Sequence, residues 1–234
     1  MLPSGGRDEV QDRVLSRVPL FAELPPERIH ELAQSVRRRT YHRGETIFHK
    51  GDPGNGLYII GAGQVKIVLP SEMGEEAMLA VLEAGEFFGE LALFDGLPRS
   101  ATVVAVQNAE VLVLHRDDFM SFVGRNPEVV SALFAALSRR LRDADEMIED
   151  AIFLDVPGRL AKRLLDLADK HGRAEGQGVA IDLKLTQQDL AAMVGATRES
   201  VNKHLGWMRD HGLIQLDRQR IVILKPDDLR KRIY

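Results

Sequence analysis

Residues 85–101 read Gly-Glu-Phe-Phe-Gly-Glu-Leu-Ala-Leu-Phe-Asp-Gly-Leu-Pro-Arg-Ser-Ala, the densest cluster of binding chemistry in the chain. Gly89 and Glu90 stand where a strand is expected to end and a short helix to begin, so free backbone N–H groups can face an anion. Arg99 adds a planar guanidinium that suits phosphate oxygens, and Ser100 adds a hydroxyl donor. The carboxylate of Glu90 would repel a phosphate, so we expect it to accept a hydrogen bond from a sugar hydroxyl instead. A buried ion pair between Arg99 and Glu90 is the alternative that spacing leaves open.

Short segments of β character surround this motif. Ten of the 20 glycines lie between Gly44 and Gly96. Short strands separated by glycine-rich turns are typical of an all-β barrel or sandwich. Helices are expected before and after them, at 28–36 and 117–123. The expected strands are 46–48, 57–60, 65–69, 77–82, 101–106 and 110–115.

A long amphipathic helix is predicted next. Asn126 is a favourable N-cap, Pro127 fits the first helical position, and neither glycine nor proline interrupts residues 128–154. Apolar residues recur there at alternating spacings of four and three, which is the pattern of a coiled-coil seam about 40 Å long. Heavily charged flanking positions favour a homodimer over the alternative, a helix packed against its own domain. The predicted seam positions are Val130, Phe134, Leu137, Leu141, Ala144, Ile148 and Ala151.

Residues 186–205 predict a helix-turn-helix. Thr186 and Asp189 form a capping-box pattern, and Gly195 ends the first helix because glycine readily adopts the left-handed conformation. Thr197 then caps a second helix, the recognition helix of a DNA-binding motif. An ordinary solvated helix face with charges is the alternative. The residues of this motif expected to contact DNA are the two cap residues, Thr186 and Thr197, and Arg198, Glu199, Asn202 and Lys203 of the second helix.

A wing is predicted after this motif. Residues 213–224 contain two short β-type runs around a polar turn at 217–220. Arg218 and Arg220 in the turn are expected to contact DNA phosphates. The segments predicted before the helix-turn-helix are a hinge at 155–158, a helix at 159–170 and a loop at 171–178.

Composition restricts the class of protein. The net charge of −4 divides into −8 for residues 1–154 (16 Lys and Arg against 24 Asp and Glu) and +4 for residues 155–234 (15 against 11). This favours two domains, the basic one for nucleic acid. No cysteine is present, which excludes disulfides, thiolate metal sites and cysteine nucleophiles. The seven histidines lack the paired spacing of a zinc site.

Two further classes are not expected. No P-loop, HExxH or GxSxG motif occurs, so we do not expect an enzyme. No apolar run reaches the roughly 20 residues that a membrane-spanning helix needs, and the N-terminus is polar. A cytoplasmic protein without a membrane span is the expectation.

Together these motifs resemble the cyclic-AMP receptor protein/FNR family of bacterial transcription regulators, and especially its cyclic-AMP receptor branch. The resemblance runs from about Leu20 to Leu224. It rests on residues 85–101, on Phe153-Leu154-Asp155, and on Val194-Gly-Ala-Thr-Arg-Glu-Ser-Val201. The missing cysteines exclude the iron–sulfur chemistry of the FNR branch.

The resemblance implies an α+β fold of three parts. A jelly-roll-like β-roll would bind a cyclic nucleotide (1–125), a helix would dimerise (126–154), and a winged helix-turn-helix domain would bind DNA (155–234). The implied partners are a cyclic nucleotide, double-stranded DNA with TGTGA-like half-sites, RNA polymerase and a second copy, with no cofactor besides the effector. The positions that match the nucleotide pocket are Gly89, Glu90, Leu91, Arg99, Ser100 and Ala101, with Ala144 and Asp145 on the helix.

The helix departs from the family pattern at its base-contacting pair. Cyclic-AMP receptors carry hydroxylic residues where this chain has Ala144 and Asp145. Alanine offers no side-chain hydrogen bond, whereas a carboxylate can accept from the adenine N6 amino group or a guanine N1/N2 edge. Cyclic AMP is the first expectation, with cyclic GMP, a cyclic dinucleotide and an unused pocket as alternatives. A regulatory subunit acting on a protein partner is a further alternative, which the helix-turn-helix disfavours.

Overall fold

The computed structural model of this protein describes residues 5–176, 178–181, 183, 185–217 and 220–233. Internal contacts divide the chain into two compact units. The first comprises the chain up to Pro70 and Leu79–Arg142, and the second comprises Ser71–Met78 and the chain from Asp143 onward. This division falls inside the long helix, whereas the predicted boundaries lie at its two ends. The three-part division stays a prediction.

Two four-stranded sheets form the first unit, among the residues described. The strands are β1 (Val36–Tyr41), β2 (Thr46–Phe48), β3 (Gly56–Ala62), β4 (Gln64–Pro70), β5 (Glu76–Glu83), β6 (Phe87–Phe88), β7 (Thr102–Ala105) and β8 (Ala109–His115). One sheet has the order β1-β8-β3-β6 and the other the order β2-β7-β4-β5. Neighbours such as β3 and β8 run antiparallel, with Leu57 opposite Leu114. The predicted β-roll is confirmed.

The core of this unit has two layers. One layer lies inside the β-roll, where Ile60, Phe88 and Val111 belong to one buried cluster. The other lies between a sheet and the helices, where Leu57 and Leu114 join a cluster with residues of the helices. Those helices are α1 (Gly5–Leu15), α2 (Pro26–Ser35), α3 (Leu91–Asp95), α4 (Arg116–Arg125) and α5 (Pro127–Phe153), with a short 3-10 turn at Pro19–Phe21.

The edge strand β1 was not predicted from the sequence. The predicted helix 28–36 ends at Ser35, and β1 pairs with β8 from Val36 onward. Only the two ends of β1, Val36 and Tyr41, are buried, so the strand lacks the alternation that marks a strand in sequence. Its three exposed arginines at 37–39 place charge on a sheet edge, which discourages pairing with another chain.

The second unit combines helices with a four-stranded sheet of order β11-β12-β10-β9. The predicted loop 171–178 is wrong, since β9 and β10 form an antiparallel pair there. No helix among the described residues is both long and apolar enough to cross a membrane. The elements are α6 (Val156–His171), β9 (Gly172–Glu175), β10 (Gly178–Ile181), α7 (Gln187–Val194), α8 (Arg198–Asp210), β11 (Ile214–Asp217), β12 (Arg220–Ile223) and α9 (Pro226–Arg230).

The helix-turn-helix forms as predicted. Thr186 Oγ1 accepts the Asp189 N–H at 3.1 Å and the Thr186 N–H donates to Asp189 Oδ2 at 2.9 Å, which completes the capping box. Gly195 ends α7 in the left-handed region with φ 59°. Thr197 Oγ1 then accepts the Ser200 N–H and caps α8. Each signal is local, which explains why the sequence predicts it well.

Helix α5 has two apolar faces. One packs into its own unit through buried Val129 and Leu133, with Leu137 partly buried against the same cluster. The other exposes large side chains, with Phe134 65%, Leu141 63%, Ile148 58% and Ile152 67% exposed. The alternative prediction, a helix packed against its own domain, is therefore confirmed for one face. The partner helix that would cover the other face stays a prediction. Of the remaining predicted seam positions, Val130 is half-buried and Ala144 and Ala151 are exposed.

An ionic clasp joins the end of α5 to α6 within the second unit. Lys162 Nζ lies 2.7 Å from Asp150 Oδ1 and 2.7 Å from Glu146 Oε1. Burial lowers the pKa of Lys162, but its two hydrogen bonds outweigh this and raise the pKa above 10.5. The hydrogen bond from Lys162 lowers the pKa of Glu146 below 4.5. Asp155 completes the junction, because its Oδ1 accepts the Gly158 N–H at 2.8 Å and caps α6.

We expect Lys162→Met to lower the free energy of unfolding by about 1 kcal/mol at pH 7, since Glu146 is more than half exposed and water screens that pair. The raised pKa of Lys162 means that its contribution is lost only above about pH 10.5. The lowered pKa of Glu146 means that its share is lost as the pH falls below about 4.5. Urea unfolding between pH 4 and 9 measures the difference. A double-mutant cycle with Asp150→Asn isolates the pair, and a coupling energy near zero would contradict the clasp.

Candidate functional site

The candidate pocket lies where β6 ends and α3 begins. Gly89 has φ +81°, a left-handed conformation that favours glycine. Glu90 follows as the N-cap residue of α3 and is only 4% exposed. The strand end and helix start predicted from the sequence are confirmed at these two residues.

The guanidinium of Arg99 is buried beside Gly89, with 4% of the residue exposed. Nη1 donates to Gly89 O at 2.6 Å and Nη2 donates to Gly56 O at 2.9 Å. Its Cζ lies 4.3 Å from the centroid of the Phe48 ring and 5.4 Å from that of Tyr58. The rigid fork is therefore held in one orientation by two carbonyls and an aromatic wall.

The Nε–H donor of Arg99 is not satisfied. Nε is buried and has no hydrogen-bond partner among the residues that the structure describes. Burial lowers the pKa of Arg99, while Tyr58, Glu90 and Asp52 act in the opposite direction. A buried cation with a spare donor is costly unless an anion compensates it. This is the electrostatic environment of an anion site.

Glu90 is paired with Arg140 of α5. Arg140 Nη1 donates to Glu90 Oε1 at 2.7 Å, and Nη2 donates to Phe87 O. The guanidinium also lies over the Phe87 ring, with its Cζ 4.8 Å from the centroid. Among the described residues, Glu90 forms its ion pair with Arg140. The buried ion pair between Arg99 and Glu90, which the spacing left open, is not formed.

Sequence reasoning missed Arg140. The available signal was its position on the helix, seven residues after Leu133 and so on the face that packs into its own unit. A charged residue on a core-facing stripe needs a buried partner. That partner is 50 residues away in the chain, which explains why spacing did not find it.

The other predicted pocket residues differ in exposure. Ser100 and Leu91 are exposed, whereas Ala101 is buried directly before β7. The segment that carries them is anchored by its backbone, because the Arg99 N–H donates to Asp52 O and the Gly51 N–H donates to Arg99 O, both at 2.8 Å. Ala144 and Asp145 are exposed and belong to the half of α5 that groups with the second unit.

The predicted base readers lie at the start of α8. Arg198, Glu199 and Lys203 are exposed, as base contact requires. Asn202 is half-buried, and its Oδ1 is shielded from solvent with no hydrogen-bond partner among the described residues. The side chain of Asn202 is therefore less accessible to DNA than predicted. Thr197 is exposed at the cap, and Thr186 is half-buried because its hydroxyl is used in the capping box.

The wing is described only in part. Arg220 is exposed at the start of β12 and forms an ion pair with Glu175 of β9. Arg218 lies outside the described residues. Of the two wing arginines, Arg220 is therefore held against the protein, and a phosphate contact would compete with Glu175.

Known families match both units. Residues 38–126 match the cyclic nucleotide-binding domain family, and residues 158–232 match the Crp-like helix-turn-helix domain. The "CRP-like cAMP-activated global transcriptional regulator" of Mycobacterium tuberculosis (strain ATCC 25618 / H37Rv) is 36% identical over 221 residues, 94% of this chain and 99% of the relative. This chain belongs to the CRP/FNR family. It is a CRP-like, cyclic-nucleotide-responsive transcription regulator with a DNA-binding helix-turn-helix.

Other relatives of this CRP/FNR protein differ in effector. The "cAMP-activated global transcriptional regulator CRP" of Escherichia coli O6:H1 is 35% identical over 184 residues, 78% of this chain and 87% of the relative. A solved structure titled as the "c-di-GMP Responsive Global Regulator CLP" of Xanthomonas campestris has TM-score 0.78 at 26% identity, and covers 85% of this chain and 99% of that one. The family is therefore clear, while its members respond to more than one nucleotide.

We expect Gly89→Ala to unfold more readily than wild type and to displace Arg99. A Cβ at residue 89 would lie 2.6 Å from Arg99 Nη1. Gly74→Ala is a matched control, because Gly74 has φ +82° and nothing within 4 Å of its added Cβ. Both variants bear the strain of a positive φ, of order 1 kcal/mol, and Gly89→Ala adds about 1–3 kcal/mol of overpacking. Urea unfolding compares them, and equal losses would show that Arg99 adjusts freely.

Proposed function

We propose that this regulator is a homodimer that binds cyclic AMP around Arg99 and reads a TGTGA-like palindrome. The observation that carries the effector assignment is the buried Arg99 guanidinium with its unpartnered Nε. A cyclic phosphate provides an anionic acceptor for the Nε–H that has no partner, in a site where water screens the interaction little. The names of the mycobacterial and E. coli relatives agree with cyclic AMP.

In this proposal Glu90 holds the sugar. A carboxylate accepts about four hydrogen bonds, so Glu90 can keep Arg140 and still accept from a ribose hydroxyl. Ser100 is exposed next to Arg99 and offers its hydroxyl to the phosphate. Leu91 lies in the first turn of α3, where the backbone N–H groups have no partner inside the helix. The phosphate and sugar ends of the ligand then have separate partners.

The base end determines which nucleotide acts. Asp145 can accept a hydrogen bond from the adenine amino group or from the guanine N1/N2 edge, and Ala144 contributes no side-chain hydrogen bond. Cyclic GMP or a cyclic dinucleotide is the second candidate, supported by this carboxylate and by the c-di-GMP-responsive neighbour. A ligand-independent regulator is the third.

We expect calorimetry on the full chain to give micromolar binding of cyclic AMP, weaker binding of cyclic GMP, and binding about 10–100-fold weaker in Arg99→Gln because the charged partner of the phosphate is lost. Arg38→Gln is a control, since Arg38 is an exposed arginine on β1. Circular dichroism verifies that each variant folds. Tighter binding of cyclic GMP or of a cyclic dinucleotide than of cyclic AMP would overturn the effector, and equal binding by Arg99→Gln would overturn the pocket.

The exposed stripe of α5 supports a dimer. Phe134, Leu141 and Ile148 repeat every seven residues, and a second copy of the same helix is the partner that fits a heptad repeat. A two-fold dimer places two recognition helices about 34 Å apart on successive major grooves, which accounts for a palindromic site. RNA polymerase would be the further protein partner of such a regulator.

Helix α5 also provides a route from effector to DNA. Arg140, in the middle of the helix, pairs with Glu90, and Lys162 of α6 pairs with Asp150 near the C-terminal end of the helix. A nucleotide that donates a hydrogen bond to Glu90 would alter the ion pair between Glu90 and Arg140, and so the contact that holds α5 at this point. Helix α6 packs against α7, α8 and α9 of the DNA-binding unit, so we infer that a change in α5 would reach that unit through the contact between Lys162 and Asp150.

We expect Arg198→Ala to weaken binding by about 1–3 kcal/mol at one guanine of each half-site and to relax specificity there, because arginine reads guanine with two hydrogen bonds. Arg209→Ala is the control, since Arg209 lies at the far end of α8 and pairs with Asp210 at 2.8 Å. Selection from randomised duplexes measures the preference. An unchanged preference in Arg198→Ala would show that another residue reads this base.

A further inference from the structure

A carboxylate stands within the exposed apolar stripe of α5. Asp145 is exposed and lies four residues after Leu141, three before Ile148 and seven before Ile152. Residues at these spacings share one face of a helix. At about 100° per residue, Asp145 lies roughly 40° from Leu141 and roughly 20° from Ile152 around the helix axis.

The packing of the neighbouring face of α5 shows where a second copy can bind. Val129 and Leu133 are buried in the core of their own unit, and Leu137 is partly buried against the same cluster. The surface that stays free is centred on Phe134, Leu141, Ile148 and Ile152. The centre of the exposed stripe is therefore farther from Leu137 around the helix axis, and nearer to Asp145, than the centre of the predicted seam.

We propose that Asp145 is a charged seam position that weakens association between two copies of this chain. The inference rests on the proposed homodimer. A two-fold axis along a parallel seam brings the two Asp145 carboxylates toward each other. Like charges in a partly desolvated seam oppose association, and each carboxylate also loses hydration.

The charges around Asp145 do not cancel this effect. On its own helix Arg142 lies three residues before it and Glu149 four residues after it, and both are exposed. Their charges are opposite, so their net contribution is small. The facing element is the second copy's α5, which presents the same residues. The seam is therefore short of positive charge where two carboxylates meet.

The test is the dimer dissociation constant of the full chain, measured by sedimentation equilibrium. We expect Asp145→Leu to lower the constant at least tenfold and Asp145→Asn to lower it by a smaller factor, because both remove the charge and leucine also extends the apolar stripe. Raising NaCl from 50 to 500 mM should strengthen wild-type association more than that of Asp145→Asn, since salt screens repulsion. Asp143→Asn is the control, an exposed carboxylate on the other side of α5.

Leu141→Ser examines the seam itself, and we expect it to weaken association in the same assay. A wild-type dimer whose constant is unchanged or raised in both Asp145 variants would overturn the role of Asp145 and leave the homodimer intact. Monomers at every concentration for wild type and for Asp145→Leu would overturn the homodimer too. A wild-type monomer with a dimeric Asp145→Leu would support the inference. Calorimetry with cyclic AMP reports on the effector pocket separately.

Discussion

The buried guanidinium of Arg99 is the constraint on which the sensor unit depends. It occupies space that exists only because its neighbours are glycines, since a Cβ at Gly89 would meet Nη1 and one at Gly54 would lie 3.0 Å from Nε. The carbonyls of Gly89 and Gly56 fix its two terminal nitrogens. A buried cation whose Nε–H has no partner among the described residues is unfavourable without an anion, which is why we propose this position for the phosphate of the effector.

Helix α5 relates this pocket to the rest of the chain. A single stretch of 27 residues packs into the β-roll unit on one face, pairs Arg140 with Glu90, and is clasped to α6 by Lys162 near its end. A further stripe of the helix, with Phe134, Leu141, Ile148 and Ile152, is apolar and exposed. The helix can serve several partners because 3.6 residues per turn distribute neighbouring positions around its whole circumference. A regulator of this family needs such an element, since effector and DNA are bound by different units.

Much of the fold was predictable because its signals are local. The caps at Thr186 and Thr197, the left-handed Gly195 and the start of α5 after Asn126 each depend on residues within a few positions. The β-roll was predictable from glycine-rich turns between short strands. The strands that escaped prediction are β1, whose exposed arginines hide its periodicity, and the pair of β9 and β10, which have four residues each and of which β9 is exposed throughout.

The sequence by itself determined the two kinds of unit, the residues of the 85–101 motif and the recognition helix. Tertiary structure alone decided that Glu90 pairs with Arg140, that Lys162 bridges Glu146 and Asp150, and which side of α5 is left free. The physical reason is distance along the chain. A cap or turn is specified by residues three or four positions apart, whereas a buried charge takes the partner that folding brings to it, and that partner is 50 residues away for Glu90.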